Sequence, residues 1–195
     1  MLPNPPTAKE DPRVTRTRTL MVEAFMALLA EKNFQALTVQ AITERAGVNR
    51  ATFYSHFPDK YALLNYSIRQ AFMQEIGKRT LDACHYSEAN LRVLMLVVCE
   101  FVSTANGHCA TPDAQFEALV ETQVKYQLQE LLQKWLEQVP LAVDPTTAAT
   151  AVSWAIYGLA MQWGRERSKK KLSAEKFVDR TLPLVAANLA VAQVA

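Results

Sequence analysis

The sequence predicts an all-α fold of about nine helices, with a small N-terminal three-helix unit ahead of a larger helical bundle. Three observations predict it. Only five of 195 residues are glycine, whereas strand-rich folds draw on glycine for the positive φ of their many turns. Half of the residues are hydrophobic, enough for a sizeable core without disulfide or metal staples. From Arg13 onward the apolar residues return at helical intervals rather than alternating.

The first long helix follows from Leu20, Ala24, Phe25, Leu28 and Leu29, which share one face. Ahead of it, residues 1–11 hold Pro3, Pro5 and Pro6 and little that is apolar, and read as a disordered arm. Asn33 marks where that helix can stop, with Phe34 and Leu37 packing under the connection. Thr38 is a plausible N-cap for a short helix whose apolar face is Val39, Ile42 and Ala46. Gly47 ends it, since turning the chain there needs a left-handed residue. Val48 plugs the turn, Asn49 can cap a helix of about two turns, and Phe53 and Phe57 give that helix an inward face. Pro58 suits the first turn of the next helix.

Beyond Lys60 the pattern predicts helices over roughly 59–83, 88–105, 113–138, 145–167 and 173–193. The breaks rest on Asn106-Gly107, Thr111-Pro112, Pro140, Asp144-Pro145 and the basic run before Ser173. Pro183 should kink the last helix or shift its start. The run Thr147–Gly164 is nearly uncharged, but Ala, Ser, Thr, Gly and Gln dilute it, so a buried helix is the reading rather than a membrane span.

Two short helices joined by a tight glycine-containing turn, with a longer helix on each side, make a helix-turn-helix. The second exposes Arg50, Thr52, Tyr54, Ser55 and His56, all able to hydrogen-bond DNA. A helix this short is not stable alone, and a purely structural hairpin leaves its cluster of polar side chains unexplained.

The segment Leu37–Leu64 resembles the DNA-binding signature of TetR/AcrR-type transcriptional repressors, the tetracycline-repressor family. The resemblance rests on Thr38, Val39, Ile42, Ala46, Gly47, Val48, Asn49, Thr52, Phe53, Tyr54, His56, Phe57, Lys60 and Leu64. It covers about 50 residues from Arg13 to Leu64; beyond them only helix pattern and length match. It implies that Thr38 and Gln40 face DNA from the first motif helix. Asn49, Arg50, Ala51 and Thr52 would form the leading end of the recognition helix. Tyr54, Ser55 and His56 would make groove and phosphate contacts, and Lys60 a phosphate contact at the start of the fourth helix. The chemistry of the side chains agrees: Arg50 can fork onto guanine O6 and N7, and the Ala51 methyl can meet a thymine methyl. Many family members carry Gly at the position of Ala51 and Ser at that of Asn49, which alters the base-reading edge, so no operator sequence carries over. Arg13, Arg16 and Arg18 read equally as a phosphate-tracking leader or as part of a solvated arm.

The resemblance further implies a helix-turn-helix domain over 12–60 and an effector-binding and dimerisation domain over 61–195. It implies a homodimer built on the last two helices, with Val152, Ala155, Ile156 and Leu159 on one and Val178, Thr181, Leu184, Val185 and Leu189 on the other. A small, largely apolar effector would sit within the bundle, among Phe72, Met95, Cys99, Phe116, Tyr126, Trp135, Trp154, Tyr157 and Met161. Such residues also fill ordinary cores. The partner expected of the first domain is a double-stranded DNA operator, and no cofactor is expected.

Charge fits this division. The formal net charge of +2 averages residues 1–80, with eleven Lys/Arg against seven Asp/Glu, and residues 81–195, with ten against twelve. A basic part is thus joined to a mildly acidic one. Glycine-rich phosphate cradles are excluded by the glycine spacing. Cys84, Cys99 and Cys109 lack CxxC spacing and fit a reducing compartment. With an N-terminus lacking the apolar core of a secretory signal, they point to the cytoplasm. Cys84-His85 and His108-Cys109 flank a helix of about 27 Å, too long for the four to converge on one metal within a chain. No Ser/His/Asp set or paired carboxylates suggest an enzyme. The alternative that remains is a DNA-binding accessory or chromosome-organising factor without effector response.

Overall fold

The computed structural model describes residues 11–79, 85–105, 114–168 and 171–190. Cys84, His108 and Cys109 lie outside them, as does the arm apart from Asp11. Eight helices and no strand occur among the described residues: α1 (Pro12–Glu31), α2 (Val39–Ala46), α3 (Arg50–His56), α4 (Lys60–Arg79), α5 (Glu88–Ala105), α6 (Ala114–Leu136), α7 (Pro145–Arg165) and α8 (Ala174–Ala190). The chain divides between Ser67 and Ile68 into two compact units, so α4 contributes its first residues to one and the rest to the other.

In the first unit α1 packs on α2 and α2 on α3. α1 starts one residue earlier than the apolar pattern indicates. The Asp11 carboxylate caps it by accepting the Arg13 amide at 2.8 Å, and Pro12 fills the first helical position, where its missing N–H costs nothing. Arg13, Arg16 and Arg18 therefore lie on the first turns of α1 rather than ahead of it. The interior holds Phe25, Leu28, Leu29, Phe34, Leu37, Ile42, Phe53 and Phe57, all buried. Edge-to-face contact joins Phe34 to Phe25 (6.2 Å between centroids) and to Tyr61 (5.2 Å), an arrangement favoured by the ring quadrupoles. Phe34 and Leu37 do pack under the α1–α2 connection. Pro58 falls before α4, whose cap is Asp59, accepting the Ala62 amide at 2.8 Å. Its ring instead favours the extended backbone of Phe57 (φ −138°, ψ 128°), where α3 ends.

In the second unit α7 packs against α5, α6 and α8, and α5 also against α8. The same Asp-Pro device starts α7: the Asp144 carboxylate accepts the Thr147 amide at 3.0 Å and Pro145 occupies the first turn. Ala148, Ala149 and Ala160 on its inward face are buried and small enough for close helix approach. Arg92 Nε donates to Asp179 Oδ1 at 2.6 Å, tying α5 to α8, and Arg79 pairs with Glu100, tying the end of α4 to α5. Glu100, a carboxylate interrupting an apolar face, thus has a cation of this chain beside it. α8 begins at Ala174, after Ser173, and runs on through Pro183. Pro183 is exposed, so solvent can take the carbonyl that its missing N–H leaves without a helical donor. No described helix is long and apolar enough to cross a membrane.

Candidate nucleic-acid interface

The geometry around α3 comes from three local devices. Thr38 Oγ1 accepts the Ala41 amide at 3.1 Å and starts α2. Gly47 ends α2 at φ 66°, the only positive φ among the described residues, and the Val48 amide reaches back to the Thr43 carbonyl at 3.0 Å. A side chain at Gly47 would meet no neighbour, so backbone strain alone selects glycine there. Asn49 Oδ1 then accepts the Thr52 amide at 2.7 Å and starts α3. Together these turn the chain between the helices within three residues. Arg45 adds a fourth tie, its guanidinium reaching both carboxylate oxygens of Glu31 on α1 at 2.9 and 3.0 Å.

α3 has seven residues, too few to hold a helix by backbone bonding alone. Phe53 and Phe57 hold it, both buried, with ring centroids 6.0 Å apart. Arg50, Ala51, Tyr54 and Ser55 are exposed, while Thr52 and His56 are half-buried at the edges. Tyr54 stands edge-to-face on Phe53 at 5.5 Å with half its surface free. The buried ring thus fixes the angle at which its phenol leaves the helix. Among the described residues no ion pair engages Arg50, leaving its five N–H donors available.

The other nominated side chains divide by local work. Asn49 and Thr38 use an oxygen for capping; the Asn49 amide N–H₂ group takes no part in that cap. Gln40, exposed on α2, donates to Glu44 Oε1 at 2.9 Å, and the Ser55 hydroxyl donates to the Thr52 carbonyl at 2.7 Å. Lys60 differs from the rest. Its ammonium turns inward and donates to the carbonyls of Phe34 (3.0 Å), Gln35 (3.0 Å) and Leu37 (2.9 Å). A sequence motif registers the lysine but not those acceptors, which are backbone atoms.

In the second unit, Phe72, Met95, Cys99, Phe116, Trp135 and Tyr157 are buried and Met161 is half-buried. Burial, and then the neighbouring Glu100, push the Cys99 thiol up to about 12. Burial, then Glu121, also raises the Tyr157 phenol. Trp154 and Tyr126 depart from the expected interior set. Trp154 is 60% exposed, with the Lys125 ammonium 3.4 Å from its ring centroid, and Tyr126 is exposed as well. The reason is angular: α7 buries 148, 149, 152, 153, 156, 157 and 160, which share one side of the helix, and residue 154 falls on the other.

Of the residues expected at a dimer contact, Val152, Ile156, Val178, Val185 and Leu189 are buried within the chain itself and do not form an outward face. Ala155, Leu159 and Thr181 are half-buried and Leu184 is exposed. Ala151, Trp154 and Gly158 complete the outward strip of α7; their i, i+3, i+7 spacing is the signal that would have found them.

The profile described as bacterial regulatory proteins, tetR family, matches residues 22–66, from within α1 into α4. An uncharacterised HTH-type transcriptional regulator, YxbF of Bacillus subtilis (strain 168), is 38% identical over 72 residues, which are 36% of this chain and 19% of that protein. The chain thus spans about a fifth of that curated relative. A TetR-family regulator from Streptomyces coelicolor A3 has a similar fold, with a TM-score of 0.66 at 17% identity over 94% of this chain and 99% of that one. FadR of Bacillus subtilis, a transcriptional regulator solved in complex with stearoyl-CoA, gives a TM-score of 0.55 at 15% identity over 87% and 98%. These likenesses concern the fold.

Proposed function

We propose that this chain, whose residues 22–66 match the tetR family of bacterial regulatory proteins, binds a palindromic DNA operator as a homodimer. It represses transcription there and is released by a small, largely apolar effector. The observation that carries this reading is the outward row of α3. Arg50, Ala51 and Tyr54 are exposed beside one another on a helix whose fold is held by other residues, Phe53, Phe57 and the Asn49 cap. Arg50 suits guanine, Ala51 a thymine methyl, and Tyr54, Ser55 and His56 the groove wall and phosphates. Thr38 and Gln40 face the same DNA from α2.

One reading head gives little affinity, so a second copy is needed, with two half-sites about one helical turn or more apart. The outward strip of α7, together with Thr181 and Leu184 of α8, supports that contact: small residues permit close approach, and Trp154 offers a large apolar anchor. The effector would occupy the interior of the second unit, among Phe72, Met95, Cys99, Phe116, Trp135, Tyr157 and Met161. Release is then a population shift, requiring the effector to prefer the DNA-incompetent arrangement of the dimer.

The test is Arg50→Ala, measured by gel shift on duplexes that the unaltered protein selects from a random pool. The expected loss is about 1–3 kcal/mol of binding, with specificity relaxed at one base position. Unchanged binding refutes the assignment of α3 as the reading helix. Selection of many dispersed genomic sites, with no small molecule altering binding, favours a DNA-binding accessory factor instead.

A further inference from the structure

We propose that Gln127 is the polar anchor of the effector site in the second unit. The effector is then an uncharged molecule whose head both donates and accepts hydrogen bonds, as a primary amide does. That head meets the Gln127 carboxamide while an apolar body lies in the core. The proposal rests on the effector reading above and names the head group that reading leaves open.

Gln127 stands in the 23-residue helix α6, on the side that carries Phe116, Val120 and Val124. They precede it by eleven, seven and three residues, spacings that return to one face of an α-helix. All three are buried, and Gln127 itself is only 8% exposed. The buried polar side chains among the described residues are Thr43, Ser67, Gln127 and Ser153. Each hydroxyl donates to a carbonyl of its own helix at 2.8 to 2.9 Å: Thr43 to Gln40, Ser67 to Leu63 and Ser153 to Thr150. Among the described residues no hydrogen bond engages the Gln127 carboxamide. Nor are its oxygen and nitrogen sealed off, as Asn65 Oδ1 is. The carboxamide therefore borders space that a water-sized molecule can enter.

Two donors and an acceptor thus stand on an apolar face without a protein partner. Leaving them so costs stability. The packing of α6 does not require it, since methionine, unbranched and adaptable, fills such a place without polar atoms. A ligand that completes the bonds removes the cost only while it is bound, so its binding stabilises the bundle that holds it.

The surroundings select the charge of the head. Among the described residues of the second unit no Asp, Glu, Lys or Arg is buried. Glu100 is paired with Arg79, and Glu121 with Lys125. Glu117, the half-buried carboxylate a cationic head would need, lies ten residues and about 15 Å along α6 from Gln127. Burial opposes ionisation of the Cys99 thiol and the Tyr157 phenol, so these groups are neutral as well. A charged head would exchange its hydration for dipoles alone.

The experiment titrates the full chain at pH 7 with decanamide, decanoate and decylamine, three probes of one chain length, by calorimetry below their aggregation concentrations. Decanamide is expected to bind about tenfold or more tighter than either charged probe, and Gln127→Met to remove that advantage. The free Gln127→Met variant should melt no lower than the unaltered protein, because an unpartnered carboxamide has been taken out. A marked fall in melting temperature for both Gln127→Met and Gln127→Leu shows a carboxamide bonded within the fold and overturns the proposal. Tighter binding of decanoate or decylamine, or undiminished decanamide binding by Gln127→Met, also overturns it and leaves the effector reading standing with a different head. If none of the three binds, the proposal fails. The effector reading is then decided separately, by whether any compound releases the duplex that the unaltered protein selects.

Discussion

α3 and α7 divide their circumferences in different ways. In the seven residues of α3, buried Phe53 is followed at once by exposed Tyr54, and the exposed Arg50 and Ala51 precede it by one turn. Across the 21 residues of α7 the inward rows are apolar, and so is much of the outward strip, Ala151, Trp154 and Gly158. A helix with a polar outer face can be finished by water. One with an apolar outer face around a 60% exposed tryptophan leaves apolar surface in water, the surface on which the proposed second copy would sit. In α3 the side of each position is set by its own chemistry; in α7 it is set by which helices pack against it, α5, α6 and α8.

The contrast breaks most easily inside α3. Replacing Phe53 with Ala removes a fully buried ring and is expected to cost about 3–5 kcal/mol of stability. Tyr54→Ala should stay within about 1 kcal/mol and weaken DNA binding instead. Thermal melts set beside gel shifts separate the two. Equal destabilisation would mean that α3 does not separate fold from surface.

On α7 and α8 the contrast sharpens through assembly. Changing Trp154 to Ala together with Leu184 to Lys alters two exposed apolar side chains. The pair should leave the protomer's melting intact and weaken self-association by about 2 kcal/mol or more, as expected of an aromatic anchor. Sedimentation equilibrium reads this directly, and an unchanged association constant places the contact elsewhere.

The effect that is smallest at neutral pH, and grows only in alkali, comes from Cys99. With the Cys99 thiol raised to about 12 by burial, the unfolded chain loses that proton near pH 8.5 while the folded one keeps it. The unfolded state then binds fewer protons, so stability falls as pH rises, by up to about 1.4 kcal/mol per unit from that one group until the folded thiol itself ionises. Denaturant melts at pH 8, 9 and 10 should show the decline, and Cys99→Ala should reduce it. The same thiol should resist alkylation in the folded protein at pH 7.

What could be read from the sequence follows the range of the forces involved. Caps at Thr38 and Asn49, the left-handed Gly47 and the Phe53/Phe57 pair all act within four residues, so the turns around α3 were legible in full. The start of α7 at Asp144-Pro145 was legible for the same reason, whereas the same device at Asp11-Pro12 was lost in the apparent disorder of the arm; Pro183 was not legible, because its exposure decides whether the helix tolerates it. Val152, Ile156, Val178, Val185 and Leu189 look the same in sequence whether they face their own core or a partner. Only packing of α5, α6, α7 and α8 against one another tells them apart. Lys60 shows the limit most sharply, since its partners are carbonyls 23 to 26 residues upstream and carry no side-chain signature.

The alternation of buried and exposed residues along α3 also bears on how a gene for such a protein diverges after duplication. Under the DNA-reading role proposed for α3, Arg50, Ala51 and Tyr54 could drift without disturbing Phe53, Phe57 or the Asn49 cap, so daughter copies would acquire new targets while inheriting an intact scaffold. Drift at Gly47 has no such freedom, and a lineage that lost that residue would lose the turn before it could explore a new target.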